Sequence, residues 1–447
     1  MEVAERGAGQ KCVQIMLAVV LLSVIGIRVE ADELRELMGK ARAHAYEVQM
    51  AGMERGIRGQ ERRIERSEYY PRINLYAGSE YTHNMREGRM GAVTTVGEMF
   101  INPYTRYQTL LGITMSYNVY DFGVRRGRME MAKRSEEIGE IAEREGLRAV
   151  YVKVIEKYSG IVLLKREIEI KEGIVEQIER KLAMKRRLNG AGEISSIEIK
   201  EEEIELAGER KELLEMEERM EGECEELSYY IGERYEVGRL SDEEMRAERE
   251  KEIEVGEEDY ERSEVNQIYG KEIARKEAEI AVLRRSRYPK LVAYGRYYMY
   301  GSDRNNYGGS LGDIGLSNYT IGGSLSMPIF DGMRNREEIR KAEMEKRRLE
   351  IEREKAVEEY RRRVEGLVRE LRYERERIAQ SEEQMKRIEE RKRMKERLRE
   401  KSEIDGIAIV EEEIARLERA RELIREEVSE YAIRKTLEIM LTPALEV

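Results

Sequence analysis

The sequence predicts an internally duplicated α+β membrane protein, in which strands of membrane-crossing length are joined to very long antiparallel coiled-coil helices. First, the chain says nearly the same thing twice. YYPRINLYAGSEY at 69–81 is answered by RYPKLVAYGRYYM at 287–299, and TMSYNVYDFG at 114–123 by SLSMPIFDG at 324–332. EISSIEIKEEEIELAGERKEL at 193–213 meets EIDGIAIVEEEIARLERAREL at 403–423, with ten of 21 positions identical at a spacing of 210, the spacing that also separates Asp121 from Asp331. Ordered recurrence of this kind marks a duplicated architecture. Second, four segments alternate apolar and polar residues with period two. Third, the whole chain is 39% charged, with five prolines and no tryptophan, a composition of long solvated helices rather than compact cores.

At the N-terminus, 13–27 is an apolar run of signal-peptide length, short for a membrane span, and Val29 and Ala31 form an A-x-A-like cleavage site. The expectation is a leader at 1–31 and a mature start near Asp32. Cys12 would leave with it, and Cys224 alone excludes an internal disulfide in the mature chain. Cys224 reads as a small buried residue in a helix.

The first repeat is assigned to 32–230, with strands at about 72–81 and 108–120; 231–256 is an equatorial connection; the second repeat is 257–447, with strands at about 291–300 and 318–330. In the first strand Ile73, Leu75 and Ala77 oppose Asn74, Gly78 and Glu80. In the second, Leu111, Ile113, Met115, Tyr117 and Val119 oppose Thr114, Ser116 and Asn118. The third is mixed, with Arg296 among tyrosines. In the fourth, Tyr319, Ile321, Leu325, Met327 and Ile329 alternate with Thr320, Gly322, Ser324 and Ser326. An apolar face against a small polar one suits a barrel strand between lipid and a water-filled lumen. Tyrosines, 26 against three phenylalanines, gather near the segment ends at Tyr69, Tyr70, Tyr104, Tyr107, Tyr117, Tyr120, Tyr288, Tyr297, Tyr298 and Tyr300, as an interfacial aromatic girdle does. Between the strands of each pair, 82–107 and 302–317 read as exposed loops.

The rest reads as helix. From 124 to 188 no proline intervenes, about 100 Å of helix at 1.5 Å per residue. A stripe through Ile161, Leu164, Ile168, Val175, Ile178 and Leu182 marks coiled-coil packing. Asn189-Gly190-Ala191-Gly192 stops that helix, and Ser195 with Glu198 forms a capping box that starts the return. The second copy descends from 333 to about 400 and returns over 406–440. Its short return is completed by the helix at 33–68, so the two ends of the chain are expected to meet midway along one column.

Four strands cannot close a barrel, and an open membrane sheet leaves unsatisfied edges in lipid, so the barrel must be shared between chains. Two chains supply eight strands, and three supply twelve with room for a lumen.

The Tyr-Pro openings of both first strands, the YDFG and FDG endings of both second strands, and the G-x-x-S and EIDGIAIVEEEIARLERAR turns resemble the TolC-like outer-membrane efflux protein family. The resemblance covers nearly the whole mature chain. It implies a homotrimer whose protomers each contribute four strands to one 12-stranded barrel in the outer-membrane lipid and helices to a periplasmic α-barrel tunnel. It implies passive exit for substrates of a tripartite efflux pump or type I secretion system, with a periplasmic adaptor (membrane fusion) protein and an inner-membrane pump or ABC exporter as partners. The helices depart from the family in having few Asn, Gln and Ala and many Glu, Lys and Arg.

Family members narrow the periplasmic end with acidic residues in a pattern like L-D-V-L-D-A. Asp405 falls on its first aspartate and Ala408 on its second. Asp405 also aligns with Ser195, so capping and a lumen-facing acidic ring are both open to it; Glu198, the repeat partner of Ala408, is the candidate for a second acidic layer at the pore constriction. With only His44 and His83, neither a metal site nor a catalytic triad has a framework, and no cofactor or enzymatic activity is expected. Paired glutamates read as solvated helix faces. The net charge of −11 comes from interleaved Glu, Lys and Arg with no basic stripe, so nucleic acid is not an expected partner. The competing reading is a non-channel coiled-coil scaffold of the cell envelope, whose sheet would pack its apolar face on helices.

Overall fold

A computed structural model of the chain describes residues 33–82, 95–96, 99–100, 106–237, 253–400 and 406–442. The leader at 1–31, Tyr104, His83 and Asp405 lie outside the described residues. The elements, in order, are α1 (Glu33–His44), α2 (Tyr46–Ser67), β1 (Arg72–Tyr81), the two-residue strands β2 (Thr95–Val96) and β3 (Met99–Phe100), β4 (Tyr107–Tyr120), α3 (Val124–Gly190) and α4 (Ser196–Ile231). They continue with α5 (Glu257–Glu261), α6 (Glu264–Arg285), β5 (Lys290–Asp303), α7 (Tyr307–Gly312), β6 (Leu316–Ser326), α8 (Arg334–Glu400) and α9 (Gly406–Leu441).

The described chain forms two compact units. One, from the start to Met53 with Ile141–Gln267 and everything from Glu354 on, is helical; the other, Glu54–Glu140 with Ile268–Arg353, holds the sheet and the helix segments that enter and leave it. The main sheet is an antiparallel meander in the order β1-β4-β5-β6, and β2 pairs with β3. β6 ends at Ser326, four residues short of the expected 330. Pro328 accounts for this, because proline cannot donate to a ladder. The second inter-strand loop is not wholly irregular: Asn306 caps the short α7 by accepting the Gly309 N–H at 2.7 Å.

In the helical unit the core sits on α3, where Val154, Ile155, Tyr158 and Ile161 pack with Leu34, Leu37 and Ala41 of α1, Leu227 and Ile231 of α4, and Val428 and Tyr431 of α9. The described ends meet on this helix. Tyr158 Oη donates to Glu33 at 3.1 Å, and Arg148 donates to the carbonyls of Met440 and Thr442 and, at 2.6 Å, to Glu264. Ten residues of one helix, about 15 Å, separate the two attachments.

A two-faced sheet and clamped hairpins as the candidate functional site

Strand register sorts the side chains of the sheet into rows. Leu75, Ile113, Tyr297 and Tyr319 lie side by side, next to a row of Ile73, Met115, Gly295 and Ile321. On the opposite face run Asn74, Thr114, Arg296 and Thr320, then Arg72, Ser116, Tyr294 and Gly322. The register thus places Arg296 on the polar face, where its guanidinium lies 5.1 Å from the Tyr294 ring centroid. The apolar face is bare: Leu75 is 72% exposed, Ile321 83% and Leu325 70%. A soluble sheet buries such a face, and a contiguous exposed patch of this kind suits lipid.

Tyrosines mark both ends of the strands. Tyr81, Tyr107 and Tyr307 form one chain of ring contacts, at 5.1 and 4.7 Å, and Tyr120, Phe122 and Tyr288 another, at 4.8 and 5.3 Å. Thirteen strand steps between Tyr107 and Tyr120 cover about 43 Å, or about 30 Å along the normal at barrel-like tilt, the thickness of a hydrocarbon core. Tyr298 and Tyr300 do not join either girdle. They stand on the polar face, and Tyr298 lies over Gly112, where any side chain would collide with its ring.

The YDFG and FDG motifs are the corners from sheet to helix. Asp121 accepts the Gly123 and Arg125 N–H groups at 3.1 Å each and the Arg125 guanidinium at 3.0 Å, while Arg125 also lies 4.9 Å from the Tyr69 ring centroid. Asp331 accepts the Asn335 N–H at 3.0 Å. The corner requires positive φ, at Phe122 (53°) and Gly123 (88°) in one copy and at Gly332 (67°) and Met333 (69°) in the other, which is why a glycine recurs there.

At the far end of the first hairpin, Ser195 Oγ accepts the Ile197 N–H at 3.1 Å and Glu198 accepts the Ser195 N–H at 3.2 Å, closing the capping box. The carboxylates nearby are not all solvated. Glu202, 1% exposed, is held by Lys181 at 3.1 Å and Lys185 at 2.7 Å. Glu412, 3% exposed, is held by Arg391 at 2.5 Å and Lys395 at 2.7 Å. Every member of the second clamp stands 210 positions after its counterpart in the first. Burial would raise the Glu412 pKa, but the hydrogen bonds from Lys395 and Arg391 win and hold it below the ordinary range. Its neighbour Glu413 is lowered to about 2, chiefly by the Arg416 hydrogen bond, with burial opposing and Lys392 assisting. Higher in the hairpin, buried Lys171 sits between Glu209 and Glu212, and Arg421 of α9 joins Glu212 at 3.0 Å to Glu167 at 3.4 Å. The reading of paired glutamates as solvated faces fails at these positions. The signal that exposes them is the recurrence of the Lys181, Lys185 and Glu202 triplet as Arg391, Lys395 and Glu412.

A four-stranded sheet with lipid-suited and polar faces and aromatic belts at both ends, in a chain that also carries two pairs of long helices, defines a channel subunit of mixed α and β structure. The chain belongs to the outer membrane efflux protein family, whose sequence model matches residues 37–233 and 271–401. It is therefore an outer-membrane efflux channel protein with its helical part in the periplasm. Solved structures share the fold. CusC matches with a TM-score of 0.75 at 12% identity over 92% of each chain. VceC of Vibrio cholerae matches at 0.73 and 14%, over 92% of this chain and 96% of that one. MtrE of Neisseria gonorrhoeae, in its open state, matches at 0.73 and 14%, over 91% and 88%. No curated protein sequence matches the chain.

Proposed function

We propose that three copies of this chain close one 12-stranded barrel and form a passive outlet for small molecules delivered by a tripartite efflux pump, through a periplasmic adaptor from an inner-membrane transporter. The observation that carries this reading is the sheet itself. Its apolar face is exposed, and among the described residues β1 and β6 each pair on one side only, so each offers a row of backbone groups that lipid cannot satisfy and a neighbouring copy can. Eight strands from two copies leave an interior filled by side chains; twelve leave a lumen. CusC is described as forming a transmembrane channel and MtrE as an outer-membrane channel with an open state, which supports a duct over a scaffold. The family's efflux role favours a pump outlet over protein secretion.

The proposed constriction rests on Asp405, with Glu198 as a second layer whose carboxylate also serves the helix cap. Three Asp405 carboxylates around one axis would repel one another, raise their pKa values and favour cations. The test combines the mass of the detergent-purified protein with its conductance in planar bilayers. A trimer with discrete, cation-selective pores is expected, with selectivity reduced in Asp405→Ala. A detergent-independent monomer without pores removes the channel reading, and unchanged selectivity in the variant removes the acidic ring.

A further inference from the structure

Beside the foot of β1, between the C-terminal half of α2 and the start of α3, lies an open groove of about 600 Å³ lined by Arg62, Arg63, Arg66, Tyr69, Tyr70 and Glu136. Arg62 is paired with Glu136 at 2.5 Å. Arg63 and Arg66 are exposed and have no ion-pair partner among the described residues. Tyr70, 61% exposed, stands immediately before Pro71 and the first strand residue.

The duplication shows that the fold does not require arginine at all three of these positions. On the 218-residue spacing of the two Tyr-Pro strand openings, Arg62, Arg63 and Arg66 correspond to Ile280, Ala281 and Arg284. There the one arginine is neutralised by Glu343 at 2.7 Å, and Lys346, the counterpart of Glu136, is paired with Glu277 at 2.7 Å. At these three aligned positions one copy thus carries a single, paired arginine and the other two guanidinium groups without an ion pair among the described residues, while Arg285 and Arg287 of the second passage fall on Ser67 and Tyr69 of the first.

We propose that this groove binds the phosphate headgroup of an anionic phospholipid in the periplasmic leaflet of the outer membrane. The inference rests on the membrane reading above, which puts the α2-to-β1 passage at the periplasmic interface, where the apolar face of the sheet ends and the helices begin. Planar guanidinium forks match phosphate oxygens bidentately, tyrosine hydroxyls sit at headgroup depth, and basic pockets beside membrane-spanning elements recognise anionic heads. A zwitterionic lipid offers the same phosphate with its own cation attached, so the unpaired Arg63 and Arg66 confer a preference for net negative charge.

The test is native mass spectrometry of the full-length assembly released from phosphatidylcholine vesicles doped with phosphatidylglycerol, beside conductance measurements on the same preparations. The assembly is expected to retain phosphatidylglycerol over phosphatidylcholine. The double variant Arg63→Gln/Arg66→Gln should lose roughly 30-fold of that preference while its pores persist, and Arg284→Gln should keep it. Pore-forming variant that retains phosphatidylglycerol as the parent does overturns the proposal and leaves the channel intact. Displacement of the lipid by millimolar inorganic phosphate overturns the lipid assignment in favour of a free-anion site. Protein that neither inserts nor conducts in either vesicle overturns this proposal together with the membrane reading.

Discussion

Helices α3 and α8 occupy the same place in the two repeats and have the same length, 67 residues, yet they are held differently. Both share a spine: Val154, Ile161 and Ile168 of α3 recur as Val364, Leu371 and Ile378 of α8, and all six are buried. Only α3 carries a second stripe. Tyr151, Ile155 and Val162 are buried there, two of them in the core with α1, and their repeat positions are Arg361, Glu365 and Arg372. In place of that stripe α8 carries a ladder of pairs along its own surface, such as Arg348 with Glu352 at 3.0 Å, Arg362 with Glu358 at 3.0 Å and Arg387 with Glu383 at 2.6 Å. Such exposed i,i+4 pairs contribute only about 0.3–0.5 kcal/mol each, so they favour the helix without anchoring it. One duplicated element therefore acts as the central post of its unit, and the other is fastened along a single seam.

The largest effect should come from breaking the stripe that only one helix has. Ile155→Ala empties a fully buried site and should cost about 4 kcal/mol, whereas Glu365→Ala, at the exposed equivalent position, should stay within about 0.5 kcal/mol. Denaturant melts of the detergent-solubilised protein measure both; comparable losses would mean that α8 is buried as deeply as α3. Next come the clamps that the repeats share. Glu412→Gln leaves Arg391 and Lys395 facing a neutral group and should cost about 3 kcal/mol, with a similar cost for Glu202→Gln against Lys181 and Lys185. A clear inequality between these two variants would show that the hairpins differ below the seam as well as along it.

Acid should then separate the hairpins. Glu413 has a folded pKa of about 2, set mainly by Arg416, with burial opposing, and an ordinary value near 4.5 once unfolded. Between those values the unfolded chain binds more protons, so the contribution is complete above about pH 4.5 and fades as pH falls toward 2. At pH 3 the loss is about 2 kcal/mol. The repeat partner Glu203 is likewise lowered, by Lys200 and then Arg186, but its side chain is 32% exposed against 18% for Glu413, and screening leaves it less weight. Glu413→Gln should flatten the acid limb of the stability curve, and Glu203→Gln should leave it in place.

What was legible in the sequence follows from what is local. Period-two alternation assigned the central residues of β1, β4 and β6 to a face, because successive strand side chains alternate whatever lies beyond them. It could not place Tyr298 against Gly112, since that contact depends on the cross-strand register of β4 and β5. Heptad spacing found the α3 seam at Ile161, Ile168, Ile178 and Leu182, yet missed that Ile174 is buried and that Lys171 enters the seam between two carboxylates of α4. A buried charge is invisible until its partner is known, and the partners lie on the opposite arm of a hairpin. Glu202 meets Lys185 across 17 positions of chain, and Glu412 meets Arg391 across 21, at separations fixed by the turn and not by helical period. The α1-to-α2 break at Ala45 was hidden for a related reason: Ala45 still donates to Ala41 at 2.8 Å and accepts from Gln49 at 3.1 Å, so the departure from helix is slight.

The smallest effect belongs to the turn of the first hairpin, where two local terms can be separated. Ser195→Ala removes the acceptor of the Ile197 N–H and should cost about 1 kcal/mol, the ordinary weight of an N-cap. Glu198→Gln keeps an oxygen for the Ser195 N–H and removes only the charge favoured at a helix N-terminus, so about 0.5 kcal/mol is expected. Amide exchange in the first turn of α4 resolves effects of this size better than a global melt, because a helix end opens without unfolding the rest. If Glu198 also lines the conducting path, Glu198→Gln lowers cation selectivity while Ser195→Ala, which frays the same turn, does not. Equal cation selectivity in both variants would confine Glu198 to its cap.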